Sequence, residues 1–308
     1  MYNEDIKKRY IQEKENSTNT PKGYLTRMFD KSKSFEDKIN KDICCFTAYE
    51  IMDFYKTISF SSVESLMVLN SHLSLYTQWC LQQNLVSDCQ NHFDEIDNEI
   101  ILSCINMTKL KKSIITRNTL YIWFDKLLNP SDAFVMLCLF EGIKGNDFCE
   151  IVNLKISDFS GNKVKLFTGR EITVSEKLVE LAKLTNETME HYGISNTNIK
   201  KFQLEEEGYI IKKYLNCKDE VSEFQRGRRI YRKLLRNFEF LGVAEYMKPN
   251  SLVESGKIDY INTRAKELGM SGKDFLRSDY ADEVKNKYSY DVSRFKVSFC
   301  RKYGEYLI

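Results

Sequence analysis

Between Thr47 and Asn84 apolar residues return every three or four positions, the spacing of one helical face. Thr47 followed by Glu50 is a capping box, and Ile51, Phe54 and Tyr55 follow it at helical spacing. Ser61 or Ser62 can cap the next helix, whose stripe is Val63, Leu66, Leu69, Leu73, Tyr76 and Leu81. A further helix is expected over about Glu95–Thr108. The pattern then breaks at "LKKSIITRN" (Leu110–Asn118) and resumes in "TRNTLYIWFDKLL" and, after Pro130, in "DAFVMLCLFEGI".

The period changes to two only in "NKVKLFTGREITVS" (Asn162–Ser175). There Val164, Leu166, Ile172 and Val174 alternate around Thr168-Gly169, a β-hairpin signal. Helical spacing returns over Glu176–His191, Leu204–Tyr214 and Arg228–Gly242, with Gly242 as the stop. "SGKIDYINTRAKELGMS", "SGKDFLRSDYADEVKNKY" and "SRFKVSFCRKYGEYL" complete a mainly α chain with one small hairpin or sheet. The expected organisation is a polar N-terminal arm over residues 1–46, a helical domain over 47–109, a linker over 110–116 and a second domain over 117–308. "NSTNTPKGY" (Asn16–Tyr24) reads as a loop within the arm.

Composition narrows the function classes. With 42 % hydrophobic residues, 19 Phe and 18 Tyr in 308 residues, a packed core is expected and disorder is not. The polar start does not read as a signal peptide, and no apolar run approaches the ~20 residues that span a bilayer. Nine Cys without a CxxC pair point to reduced thiols in a cytoplasm and give no zinc pattern. No cofactor motif is present: GxGxxG, Walker A, HExxH and GxSxG are all missing. The three His are His72, His92 and His191, so a His-dependent site in the last 117 residues is excluded by residue type; His72 reads as structural.

The net charge is only +2, yet Val221–Lys302 carries 18 Lys/Arg against 11 Asp/Glu. Arg226–Arg236 holds six Lys/Arg in eleven residues and no acid. Arg228, Arg232 and Arg236 share one helix face, with Arg229 and Lys233 beside them. Such a face suits a polyanion. It equally suits a helix salt-bridged to the acidic run Glu205–Glu207.

The order of elements resembles that of tyrosine recombinases (phage integrases), with a core-binding helical domain followed by a catalytic domain. "LFEGIKGNDFCEIVNLKISDF" is similar to that family's first box, G-x-R-x-x-E-x-x-x-L-x-x-x-D, through Glu150, Leu154 and Asp158. "VKLFTGREITV" resembles the hairpin that usually bears a catalytic Lys, and "MKPNSLVESGKIDYINTRAKELG" the second box, P-H-x-L-R-H-T. The catalytic set does not carry over. The first Arg falls on Asp147 or, with an insertion, on Lys144; the later His, Arg and His fall on Asn250, Val253 and Glu254. Tyr303 and Tyr306 are the candidate nucleophiles. Within this group the chain resembles the MrpR-type lytic-cycle repressors of SPbeta-like phages, through "EGIKG…EIVNLKI", "TGREITVS" and "SGKIDYI…AKELG".

That resemblance implies a sequence-specific DNA-binding repressor on an inactive recombinase scaffold, keeping a prophage dormant by repressing lytic genes. Two lobes would close on duplex operator DNA in the bacterial cytoplasm, with an inducer or antirepressor as a further partner. The expected DNA contacts are Arg170, Lys144, Arg226, Arg228, Arg229, Arg232, Arg236, Lys257 and Arg264. Weaker candidates are Lys22, Arg27, Lys56, Ser61 and Ser62, with Thr20. Each also has a plain reading as surface charge, salt bridge or cap. An active recombinase with an unusual site and a protein-interaction module are the competing readings.

Overall fold

The computed structural model describes residues 2–17, 23–60, 63–86, 90–195, 198–215, 222–289 and 292–308. The chain divides into two compact units, Met1–Lys111 and Lys112–Ile308. The architecture is mainly α, with two small antiparallel sheets.

In the first unit the helices are α1 (Glu4–Ser17), α2 (Tyr24–Ile39), α3 (Ala48–Ile58), α4 (Val63–Gln82) and α5 (Asn98–Ser103), and α6 (Met107–Ser113) runs across the division after Lys111. The Thr47–Glu50 capping box starts α3 as expected. Leu66, Leu69, Leu73 and Tyr76 of α4 are buried. The segment expected as a polar arm belongs to the core instead. Leu25, Met28, Phe29, Ser32, Phe35 and Glu36 lie on one buried face of α2, a stripe that the surrounding lysines hide in a composition count. Tyr10 of α1 meets Phe29, Tyr76 and Trp79 edge-on. Lys7 is fully buried and pairs with Glu36, which also accepts from Ser32 Oγ at 2.9 Å and Ile43 N at 2.9 Å. A buried charge persists only when paired and hydrogen-bonded in this way. The helix expected over Glu95–Thr108 is broken, because Asp97 caps a new start by accepting from Glu99 N and Ile100 N.

The second unit holds α7 (Arg117–Phe124), α8 (Pro130–Phe140), α9 (Cys149–Val152), β1 (Phe159–Ser160), β2 (Lys163–Lys165), β3 (Glu171–Thr173), α10 (Glu176–Glu187), β4 (Glu190–Ser195), β5 (Asn198–Glu205), β6 (Lys213–Tyr214), α11 (Glu223–Phe240), α12 (Pro249–Glu267), α13 (Gly272–Arg277), α14 (Ala281–Tyr288) and α15 (Val292–Tyr303). The expected hairpin is β2–β3, with Val164 opposite Ile172 and β1 on its flank. The helix expected over Leu204–Tyr214 does not form. β5 pairs with β4, placing His191 opposite Phe202, and β6 returns on β5 with Leu204 opposite Tyr214. The bend needs Gly208 at φ 77°, whose N–H donates to Glu206 at 2.9 Å. This lets Glu205 and Glu207 pair with Lys213 and not with α11.

Helix α8 is the axis of this unit: every residue from Asp132 to Phe140 is buried. α12 crosses it at Gly256, where a Cβ would stand 1.7 Å from the Phe140 carbonyl oxygen. Arg117 ties α7 to both, reaching Glu141 at 2.7 Å and Asp259 at 2.9 Å. Gly256→Ala must therefore push α12 off α8. The expected loss is at least ~2 kcal/mol, read as a lower Tm or urea midpoint; an unchanged midpoint would contradict the close crossing.

Candidate nucleic-acid interface

The first-box turn runs from the end of α8 into α9. Gly142 and Gly145 have φ 93° and 65°, and Asp147 and Phe148 follow at 47° and 65°. Two consecutive non-glycine residues in the left-handed region are costly and persist only when neighbours fix them. α11 supplies part of that constraint. It lies so close that a Cβ on Gly227 would stand 1.8 Å from the Asp147 carbonyl oxygen, and Tyr231 meets the Phe148 ring.

Glu150 organises the other side. Its carboxylate is 1 % exposed and accepts from Lys144 N at 2.9 Å, Thr168 Oγ1 at 2.5 Å, and Arg170 Nε and Nη2 at 3.0 and 2.7 Å. Arg170 also donates to the carbonyls of Gly142, Asn286 and Lys287. Its guanidinium is thus fully engaged within the protein. This placement departs from the DNA contact expected of it: the residue clamps the hairpin to the turn and to the end of α14.

The positions aligned with the recombinase boxes do converge. Lys144 Nζ donates to Asn250 Oδ1 at 2.9 Å, joining the turn to the start of α12. Glu254 pairs with Lys257 at 3.0 Å. Burial lowers the Lys144 pKa, and nearby Lys257 lowers it further, while Glu254 and Asp147 oppose both. Two lysines, two acids and an amide therefore share this spot, with half-buried Val253 beside them. No guanidinium fork is among these five groups, so a phosphate here would meet ammonium point charges and repelling carboxylates. Lys257 is itself buried, 4 % exposed at its side chain, so it does not reach outward as expected. Arg264 is held by Glu283, at 2.7 Å from Nε, and by Glu267. Tyr303 is buried at 3 %, and burial raises the pKa of Tyr306.

On α11 the basic residues part into distinct roles. Half-buried Arg226 donates to the Val152 carbonyl and lies over Tyr209 at 4.4 Å. Arg228 is exposed, over Phe224 at 5.6 Å. Arg229, Arg232 and Arg236 are exposed and line a cavity of about 340 Å³ between α10, β4–β6 and α11. Lys212, Lys213 and His191 join them there. The sequence reading missed those three, because it drew helices where the strands run; the alternation through "HYGIS" and "NIKKFQLE" was the available signal. In the first unit Arg27 and Lys56 are exposed. Arg27 lines a groove with Lys31, whose ammonium sits 4.6 Å from the Phe60 ring. Thr20, Lys22, Ser61 and Ser62 lie outside the described residues.

Breaking the clamp from either side leaves a buried charge unpaired. Arg170→Ala or Glu150→Gln is expected to cost about 3–5 kcal/mol in urea unfolding, and a loss under ~1 kcal/mol would refute the structural role. A second outcome concerns pH. Burial, and then Lys233 beside it, push His191 down to about 4, with Asp132 opposing. An unfolded His titrates near 6.5, so this contribution is intact above pH ~6.5 and is lost as pH falls toward 4. Melting temperatures should slope downward through that window, and His191→Gln should flatten the slope.

Comparison with known proteins fits this geometry. Residues 114–303 match the family model described as MrpR, C-terminal catalytic domain, and residues 1–82 match that of MrpR, N-terminal core-binding domain. The SPbeta prophage-derived uncharacterized protein YopR of Bacillus subtilis (strain 168) is 24 % identical over 306 residues, covering 94 % of this chain and 91 % of that protein. With the C-terminal model alone spanning more than half of its length, the chain belongs to the MrpR family, two-domain proteins of the tyrosine-recombinase type.

Proposed function

We propose that this protein is a DNA-binding transcriptional regulator that uses a recombinase scaffold to hold duplex DNA without cutting it, and that it represses the lytic genes of a prophage. One observation supports this reading most: Lys144 Nζ donates to Asn250 Oδ1, joining the turn that resembles the first box to the helix start that resembles the second, among groups that include no guanidinium. Transition-state charge stabilisation is usually the largest catalytic contribution. Asp147 and Glu254 in that position oppose it, and the buried Tyr303 offers no exposed nucleophile. The match to a core-binding domain supports DNA as the partner, and the prophage origin of the relative supports the lysogenic setting. No helix among the described residues is long and apolar enough to cross a membrane.

In this reading Lys144 and Arg228 face the DNA backbone beside the turn, where Gly227 brings α11 against Asp147. Arg27, Lys31 and Lys56 supply positive charge from the first unit. Phosphate contacts of this kind make affinity fall steeply with salt.

Gel shifts against promoter fragments of the chain's own phage, at several salt concentrations, test the binding. Lys144→Glu with Arg228→Glu should weaken binding about tenfold or more and reduce the log–log salt slope by roughly 2. Absent or salt-insensitive binding would favour an interaction module instead. A suicide substrate tests the chemistry: no covalent protein–DNA adduct is expected. An adduct abolished by Tyr303→Phe or Tyr306→Phe would overturn the non-catalytic part of the proposal.

A further inference from the structure

The cavity beside α11 has a composition that holding DNA from outside does not explain. Seven Lys/Arg and one acid, Glu190, line it; Lys212, Lys213 and Lys233 are paired with Glu206, Glu207 and Asp132, and Glu190 with Lys201 at 2.6 Å, so the arginines carry the cavity's positive charge. Its floor is apolar, with Val152, Leu204, Ile210 and Ile230. Arg232 and Arg236 have no carboxylate partner among the described residues. Thr185 of α10 is 3 % exposed and lines the same cavity, and its Oγ1 has no hydrogen-bond partner among the described residues. That oxygen is itself sealed from the surface, so it belongs to the cavity wall and not to its open face. The Asp132 carboxylate nearby is held to Lys233 at 3.6 Å, and that ammonium donates to His191 Nδ1 at 3.3 Å. The volume of about 340 Å³ lies at the small end of the roughly 300–1,000 Å³ range of small-molecule sites.

We infer that this cavity is a binding site for a small phosphate-bearing molecule with a flat or apolar body, of about mononucleotide size. Arg232 and Arg236 hold the phosphate at the mouth. The body of the ligand lies on the apolar floor against Tyr214. The assignment goes beyond the DNA-binding reading and does not rest on it. The same phosphate chemistry has a second source, a DNA backbone phosphate, and the experiment separates the two.

Isothermal titration of the full chain, free of DNA, with inorganic phosphate, adenosine and adenosine monophosphate is the test. The monophosphate should bind at least about tenfold more tightly than either fragment. Arg232→Ala and Arg236→Ala should each weaken it about tenfold or more while leaving the melting temperature of the unliganded protein within a few degrees. Both arginines are exposed, so neither variant removes a packed side chain. Lack of monophosphate binding up to about 10 mM, or binding unaffected by Arg236→Ala, overturns the inference. A short duplex that displaces the monophosphate competitively also overturns it, since the cavity mouth would then be part of the DNA surface.

Discussion

The burial of the Glu150 carboxylate is the constraint on which the second unit's turn, hairpin and α14 all depend. At 1 % exposure it has no water to solvate it, so every lone pair must find a donor within the protein. The donors come from the turn at Lys144 N, from the hairpin at Thr168, and from Arg170, whose remaining N–H groups hold the carbonyls that close α14. Removing Arg170 would leave the Glu150 charge stranded, so hairpin, turn and α14 share one ion pair. The neighbouring carboxylate of Glu141 repeats the device at smaller scale. It takes Arg117 on one side, and Ser175 N and Oγ on the other, tying α7 and the start of α10 to the end of α8.

Much of this was legible in the chain. Capping residues and helical stripes located α3, α4, α8 and α11, and the alternation around Thr168-Gly169 located the β2–β3 hairpin. What escaped were features decided by tertiary context. α2 reads as polar by count, yet one face buries Phe29 and Phe35. The helices expected over Glu176–His191 and Leu204–Tyr214 overlap only the start of β4, the end of β5 and β6, because their apolar residues also fit a helical period over short windows. Side-chain roles were the least legible. Arg170, Lys257 and Arg264 look like free cations in a string of letters, and their carboxylate partners Glu150, Glu254 and Glu283 become visible only when the fold brings them into contact.

The basic character of α11 also resolves into separate parts once its neighbours are known. Gly227 and Tyr231 turn one flank toward the first-box turn, leaving Arg228 beside it. The opposite flank looks onto β6 and α10, with Lys233 drawn inward to Asp132. Six charges that a helical wheel groups as one surface thus serve packing, a cavity and the open face of the turn.

The left-handed pair Asp147-Phe148 has a consequence for how such a chain can change. An arginine introduced at 147 would inherit a backbone already turned to φ 47° and a carbonyl lodged against Gly227, so its side chain would leave the turn in a direction set by that strain. A single substitution cannot move it; the turn, Gly227 and the Lys144–Asn250 contact would have to shift together. In mutational terms, placing a guanidinium at this turn takes several coordinated steps, and each intermediate step would sacrifice packing first.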